Sequence, residues 1–244
     1  MIRALLMVLF WAVTMPFAAL VGFPWTFLSG DVSLLYRMVV WGARNGVWLT
    51  GVRVAVIGRE QLDPSQTFIF MSNHASNLDP PLLVPELPVR TSVMVKKALF
   101  RIPIFGKTMK LGSLVPVDRS NRDAGITAVR AAVDVVKAGI SMTIFVEGKR
   151  SSDGKLLPFK KGPFYLAEEC GVPIVPVTIV GTHDAMPKGR FAIAPGQVTV
   201  IFHAPIPPAE FADRDALMVR VWSVINGALP EPYRAEARSP LAKS

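Results

Sequence analysis

A histidine and an aspartate five residues apart, His74 and Asp79, sit in the string Asn73-His74-Ala75-Ser76-Asn77-Leu78-Asp79-Pro80-Pro81. Their types suit base catalysis. An aspartate that accepts the Nδ1 proton of a histidine fixes the tautomer, and Nε2 can then take a proton from an alcohol. This is two members of a hydrolase triad, with the substrate's own hydroxyl as the third. Five residues on a regular helix separate two side chains by about 140°, so the pair meets only if the chain turns between them. Pro80 and Pro81 favour such a turn, because they suit the first positions of a helix. That would put Asp79 at the N-cap and His74 in the loop before it. The bland alternative is an aspartate that caps a helix and a histidine that decorates a loop. The spacing arises by chance in about one chain in five of this composition, so the pair alone decides little.

Three further strings follow in order: Gly112-Ser113-Leu114-Val115-Pro116-Val117-Asp118-Arg119, then Phe145-Val146-Glu147-Gly148-Lys149-Arg150-Ser151, then Val172-Pro173-Ile174-Val175-Pro176-Val177. The chain has no G-x-S-x-G elbow, no GxGxxG, no Walker loop and no H-E-x-x-H, which removes most support for hydride transfer, nucleotide hydrolysis and zinc hydrolysis. With these blocks in this order the sequence resembles the glycerolipid acyltransferase family, and within it the 1-acylglycerol-3-phosphate acyltransferases, over residues 52–202. That family writes its first block NHxxxxD, ends its second in an Asp-Arg or similar pair, reads FPEGTRS in its third and has an apolar VPIVPV-like strand as its fourth.

The resemblance implies that His74 and Asp79 are catalytic, and that Arg119, Glu147, Gly148 and Arg150 shape the acceptor's glycerol-phosphate site with help from Ser151. Arginine offers bidentate donors to phosphate, and a glycine after a strand lets backbone approach closely. Two positions depart from the family's third block: Val146 stands where proline is usual and Lys149 where threonine is usual, which puts acceptor identity in doubt without touching the base. Lys149 either adds a phosphate contact or points to solvent. Lys96 and Lys97 match the family's basic stretch; a solvated surface is the competing reading. The implied reaction moves a fatty acyl group from a thioester, carried on coenzyme A or acyl carrier protein, to the free hydroxyl of a lysophospholipid. It needs neither metal nor cofactor. Open alternatives are the same chemistry on glycerol 3-phosphate, a lyso-aminolipid or another lysophospholipid, and a catalytically silent lipid-binding protein. His183 and His203 lack comparable partners and read as structural.

The elements that must position these groups are legible as short apolar runs alternating with amphipathic ones. Residues 52–57, 67–71, 92–95, 114–117, 142–146 and 174–179 read as strands, rich in branched residues and mostly flanked by Gly, Pro or Asp. Residues 123–138 read as a helix with Ile126, Val129, Val133 and Val136 on one face, stopped by Gly139. This rhythm predicts an α/β fold, a mainly parallel sheet covered by helices on both faces, with chemistry at the carboxyl ends of the strands. Residues 191–202, split by Pro195-Gly196, suggest a terminal hairpin, residues 214–226 a last helix, and residues 231–244 a frayed tail.

The 244 residues suit one catalytic domain, residues 51–230, behind an anchoring segment, residues 1–50. A hydrophobic share of 51% and a mean hydropathy of +0.39 exceed what a soluble domain needs, so part of the apolar excess is expected to face lipid. No charge occurs in residues 4–28, a run long enough to span a bilayer, which takes about 20 helical residues. Pro16, Gly22 and Pro24 interrupt it, so a bent, half-inserted pair of helices competes with one straight span. The first thirteen residues also resemble the start of a cleavable signal peptide, but no convincing small-x-small site precedes the charged helix that follows. That helix, residues 34–50, mixes Leu35, Met38, Val39 and Trp48 with Arg37 and Arg44 and reads as interfacial, Trp41 and Trp48 lying at headgroup depth.

The net charge of +9 is scattered along the chain, which fits an anionic membrane surface and anionic substrates better than nucleic acid. The single cysteine, Cys170, excludes an internal disulfide and reads as inert packing at a helix end. With the reducing setting this favours, the expected location is the cytoplasmic face of a bacterial inner membrane.

Overall fold

The computed structural model describes residues 1–103, 105–117 and 122–235. Two helices, α1 (Ile2–Ser29) and α2 (Ser33–Leu49), precede an α/β body. Its elements run β1 (Val52–Ile57), β2 (Ile69–Ser72), α3 (Asp79–Leu83), β3 (Thr91–Lys96), α4 (Phe105–Leu111), β4 (Val115–Val117), α5 (Arg122–Lys137), β5 (Ser141–Phe145), α6 (Gly162–Cys170), β6 (Ile174–Val180), α7 (Thr182–Ala185), β7 (Gly196–Phe202) and α8 (Arg214–Ala228).

The seven strands lie in the order β1-β7-β6-β2-β5-β3-β4, and every neighbouring pair is parallel except β6 with β7. Every residue of the central strands β2 and β5 is buried, because helices cover both faces. This explains why they read as continuous apolar runs rather than as alternating ones. Pro116 sits on the edge strand β4, where its missing N–H leaves no ladder bond unmade. One face carries α5, α6 and α8 over Ile69, Met71, Met142 and Ile144. The other carries α1 to α3 over Phe68, Phe70, Val175, Val177 and Phe202.

Three expectations are corrected. Of the expected α5 stripe Val136 is buried and Val129 and Val133 pack in part, but Ile126 is exposed and Ala128 and Ala132 are buried instead; small residues at i, i+4 spacing let the helix settle closely on the strands. Residues 191–195 are not a strand. Of the expected hairpin only β7 forms, pairing with β1 and, across residues 181–195, with the preceding strand β6, so no tight turn is needed and Pro195, which cannot donate to a ladder, falls just before it. Residues 231–235, expected to fray, are docked: Glu231–Tyr233 form a 3₁₀ turn, and the Tyr233 carbonyl accepts the Leu156 N–H at 3.0 Å. Residues 236–244 lie outside the described residues.

The amino-terminal segment is a hairpin of two helices whose first arm runs unbroken through Pro16 and Pro24. Packing against α2 offsets the hydrogen bonds those prolines remove. A Cβ added at Gly22 would lie 2.7 Å from Leu35 Cδ1, and one at Gly46 would overlap the Trp11 indole, whose Nε1 donates to the Gly42 carbonyl at 3.0 Å. Arg3 donates to the Thr50 carbonyl at 2.9 Å, tying the base of the hairpin to the body. Arg44, read as an interfacial charge, is exposed and also reaches the body, where it pairs with Glu86 at 3.2 Å and donates to the Pro85 carbonyl. By length and composition α1 is long and apolar enough to cross a membrane. Its outer end is the most exposed apolar part, with Phe27 89% and Leu28 82% exposed.

Candidate active site

The sheet register brings the histidine and glutamate strings together. Strands β2 and β5 are adjacent and parallel with Ser72 opposite Phe145, so the residues leaving their carboxyl ends, Asn73-His74 and Val146-Glu147, emerge side by side. Asn73 extends the ladder on the other side with its side chain. Its Nδ2 donates to the Ile179 carbonyl at 2.9 Å, and its Oδ1 accepts the Ile179 N–H at 2.8 Å. The chain is then irregular until α3 begins, which supplies the turn that a spacing of five requires.

Within that turn His74 Nδ1 lies 2.7 Å from Asp79 Oδ2. Asp79 is fully buried and is the first residue of the helix rather than its N-cap, which is Leu78. Its carboxylate points back along the chain, so the same Oδ2 also accepts the N–H groups of Ala75 and Ser76, each at 2.8 Å. Asp79 thereby builds the loop as well as orienting the ring, while its Oδ1 is buried with no partner among the described residues. An aspartate facing Nδ1 places the histidine proton there and leaves Nε2 as the basic nitrogen. The ring also stacks on Phe145 with centroids 4.2 Å apart.

The backbone of His74 is gripped from both sides by the glutamate string. Its N–H donates to Glu147 Oε1 at 2.6 Å, and its carbonyl accepts the Ser151 N–H at 2.9 Å. The second oxygen of Glu147 accepts the Leu157 N–H at 2.9 Å. Glu147 is 2% exposed. Burial pushes its carboxyl up to about 8; the two N–H bonds pull it down and the nearby Asp79 charge adds to the rise.

His74 lines one end of a cavity of about 990 Å3, near the upper end of the usual range for ligand pockets. Arg150, Lys96, Lys97 and Arg101 line it too, together with Asn77, and its walls run back through Met94, Val93 and Thr91 to Val39, Tyr36 and Leu35 of α2. Thr91 and Lys96 are the two ends of β3, so the cavity follows the strand for about 17 Å at ~3.3 Å per residue.

The residues singled out in the sequence therefore divide. His74, Arg150 and Lys96 face the cavity. Asp79, Glu147 and Ser151 stand behind the histidine, outside the cavity lining; Ser151 is buried and its hydroxyl donates to Asp153 at 2.9 Å. Gly148 adopts φ +70°, so it serves the turn out of β5. Lys149 is exposed. Arg119 lies outside the described residues. Sequence reasoning missed three supports: Asn73, the Ser76 hydroxyl, which donates to the Met186 carbonyl at 2.8 Å, and Lys188, whose ammonium donates to the Arg150 carbonyl at 3.0 Å. Asn73 and Ser76 stood in the histidine string, but nothing there reveals partners more than a hundred residues away. His203 bonds Thr178 at 2.9 Å, and burial lowers its pKa; the His183 ring lies 5.8 Å from that of Tyr233. Neither reaches the cavity lining.

This site sits on an α/β acyltransferase scaffold, and the acyltransferase family model matches residues 53–180. The chain belongs to that family. It is similar to the 1-acyl-sn-glycerol-3-phosphate acyltransferase of Limnanthes alba, 36% identical over 184 residues, which are 75% of this chain and 64% of the relative. Its likeness to the human alpha enzyme of the same name is 32% over 161 residues, 66% of this chain and 57% of that one. The chain thus spans less than two thirds of the length of these relatives. Among solved structures it is similar to the 1-acyl-sn-glycerophosphate (LPA) acyltransferase PlsC from Thermotoga maritima, with a TM-score of 0.82, 28% identity and 92% of each chain covered.

Proposed function

We propose that this chain transfers a fatty acyl group from an acyl thioester to the free hydroxyl of 1-acylglycerol 3-phosphate, forming phosphatidic acid. One observation carries the reading: the Asp79-anchored His74 lies at the cationic end of a long, mostly apolar cavity. The cations suit a phosphate, the apolar length suits an acyl chain, and the base stands between them. The names of the relatives point to the same acceptor.

The proposed step is direct. His74 Nε2 takes the proton of the acceptor hydroxyl as the oxygen attacks the thioester carbonyl. The new C–O bond forms, the C–S bond breaks, and the departing thiolate takes the proton back from the imidazolium. Asp79 supplies the negative charge that stabilises that imidazolium. Arg150 and Lys96 hold the acceptor phosphate, and Glu147 and Ser151 fix the histidine backbone without touching substrate. A thioester is already activated, so positioning and the local dipoles supply most of the remaining rate. The donor is carried on coenzyme A or acyl carrier protein. The apolar hairpin holds the enzyme at a membrane, on the cytoplasmic face of a bacterial inner membrane, where lipid acceptor and product both reside.

The test is labelled acyl transfer to lysophosphatidate by detergent-solubilised protein, wild type against His74→Ala, with both thioester carriers. Phosphatidate made by wild type and lost in the variant supports reaction and base together. Equal activity in both proteins would sink the mechanism, and no product from either carrier would redirect the reading to another acceptor.

A further inference from the structure

The cationic lip of the cavity continues outward into a surface that no step above uses. The sequence holds no Asp or Glu between Leu87 and Val117, while six cations fall there. Residues 96–99 and 101–103 are exposed, as are Lys107 and Lys110 on α4. Two of these exposed side chains are large and apolar, Leu99 at 37% and Ile102 at 46%. The ammonium of Lys107 lies 5.2 Å from the ring centroid of Phe23, in the outer third of α1. The surface is therefore continuous with the exposed apolar end of the hairpin.

We propose that Lys97, Leu99, Arg101, Ile102, Lys107 and Lys110 form a second contact with an anionic lipid surface, distinct from the apolar hairpin. Leu99 and Ile102 enter the interfacial layer, while the four cations meet negative headgroups. Charge alone would serve an acidic protein equally well. The interleaved apolar side chains and the continuity with Phe23 favour lipid. Because Lys97, Leu99 and Arg101 also line the cavity, seating this surface turns the cavity mouth toward the bilayer. The hairpin supplies attachment, and this second contact fixes orientation and selects negatively charged membrane.

The full-length chain is diluted from detergent into sedimentable vesicles of phosphatidylcholine, alone or with one part in three phosphatidylglycerol. Lys107→Gln with Lys110→Gln is compared with Lys137→Gln plus Lys161→Gln. The latter pair lies on α5 and at the start of α6, across the sheet, and removes the same net charge. The first pair is expected to lower partitioning onto anionic vesicles by about tenfold or more, leave partitioning onto phosphatidylcholine near wild type and flatten the salt dependence, while the control pair changes little. Because Lys107 also touches Phe23, Lys110→Gln and Ile102→Ser are measured singly, and each should weaken anionic-vesicle binding severalfold. Equal losses from the two lysine pairs, or no loss from any variant, would overturn the proposal. So would intact vesicle binding with slowed turnover on a carrier-protein thioester alone, which would assign the surface to an acidic protein. Vesicle binding is read without turnover, so its outcome stands apart from the assigned reaction.

Discussion

The backbone N–H of His74 donates to Glu147 Oε1 at 2.6 Å, so the glutamate that follows β5 holds the histidine loop that follows β2. Because the other carboxylate oxygen is taken by Leu157, Glu147 has no oxygen directed at an acceptor. In the proposed reaction its role is therefore to position His74.

Glu147→Gln should separate positioning from binding. Glutamine keeps one oxygen to accept an N–H, but its amide nitrogen would then oppose the other N–H, and a buried unmet donor costs about 1–3 kcal/mol. The loop shifts, and displacing a reacting group by about 1 Å is worth roughly 100-fold in rate. Steady-state kinetics should show kcat falling about 10- to 100-fold with the KM for lysophosphatidate nearly unchanged. A large rise in KM with kcat intact would return Glu147 to the acceptor site.

Glu147 also carries a pH signature. Burial raises its carboxyl from 4.5 to about 8, so the folded protein holds a proton there that the unfolded chain releases. Stability from this group is fully present below about 4.5 and is lost as the pH rises toward about 8. Thermal melting of wild type and Glu147→Gln across that window should show wild type losing ground to the variant as pH increases. The opposite slope would mean that the two N–H bonds outweigh desolvation.

The succession of strands along the chain, the carboxyl-end placement of the site and the His74–Asp79 pairing were legible because each leaves a local trace: apolar runs of strand length, glycine and proline punctuation, and a proline pair that forces a turn. What stayed hidden depends on contacts distant in sequence. Of the expected α5 stripe Val136 is buried and Val129 and Val133 pack in part, but helix-to-sheet distance favours Ala128 and Ala132 over Ile126, which periodicity alone does not rank. β7 pairs with β1 and with the preceding strand β6 rather than with residues 191–195, so Pro195-Gly196 resembles the turn of a hairpin that does not form. Glu147 and Ser151 sat in a string read as acceptor-facing; only the register of β2 against β5 reveals that they face the histidine backbone.

Asp79→Asn tests charge apart from scaffold. All three donors, His74 Nδ1 and the N–H groups of Ala75 and Ser76, converge on Oδ2, and Oδ1 is unpartnered. An asparagine with its oxygen in the Oδ2 position keeps all three bonds and places its NH2 where Oδ1 was. The loop should persist, with melting lowered by only a few degrees, while the imidazolium loses its counter-charge. Turnover is expected to drop on the order of 100- to 1000-fold with His74 still in place. Near wild-type turnover would confine Asp79 to holding the loop.

Asn73 is the support whose loss should reach both stability and catalysis. Its side chain stands in for a backbone unit, donating to and accepting from Ile179 of β6. Alanine removes both bonds and leaves a buried N–H and a buried carbonyl unmet, at about 1–3 kcal/mol for each such group. An aspartate at this position could still accept the N–H but would place an oxygen against the Ile179 carbonyl, and it would bury a charge as well. The expected order of stability in thermal unfolding is therefore wild type, then Asn73→Ala, then Asn73→Asp, with activity falling in the same order as the histidine loop loses its tie to β6. If Asn73→Asp were as stable as wild type, the donor half of this bond would carry none of the stability assigned to it.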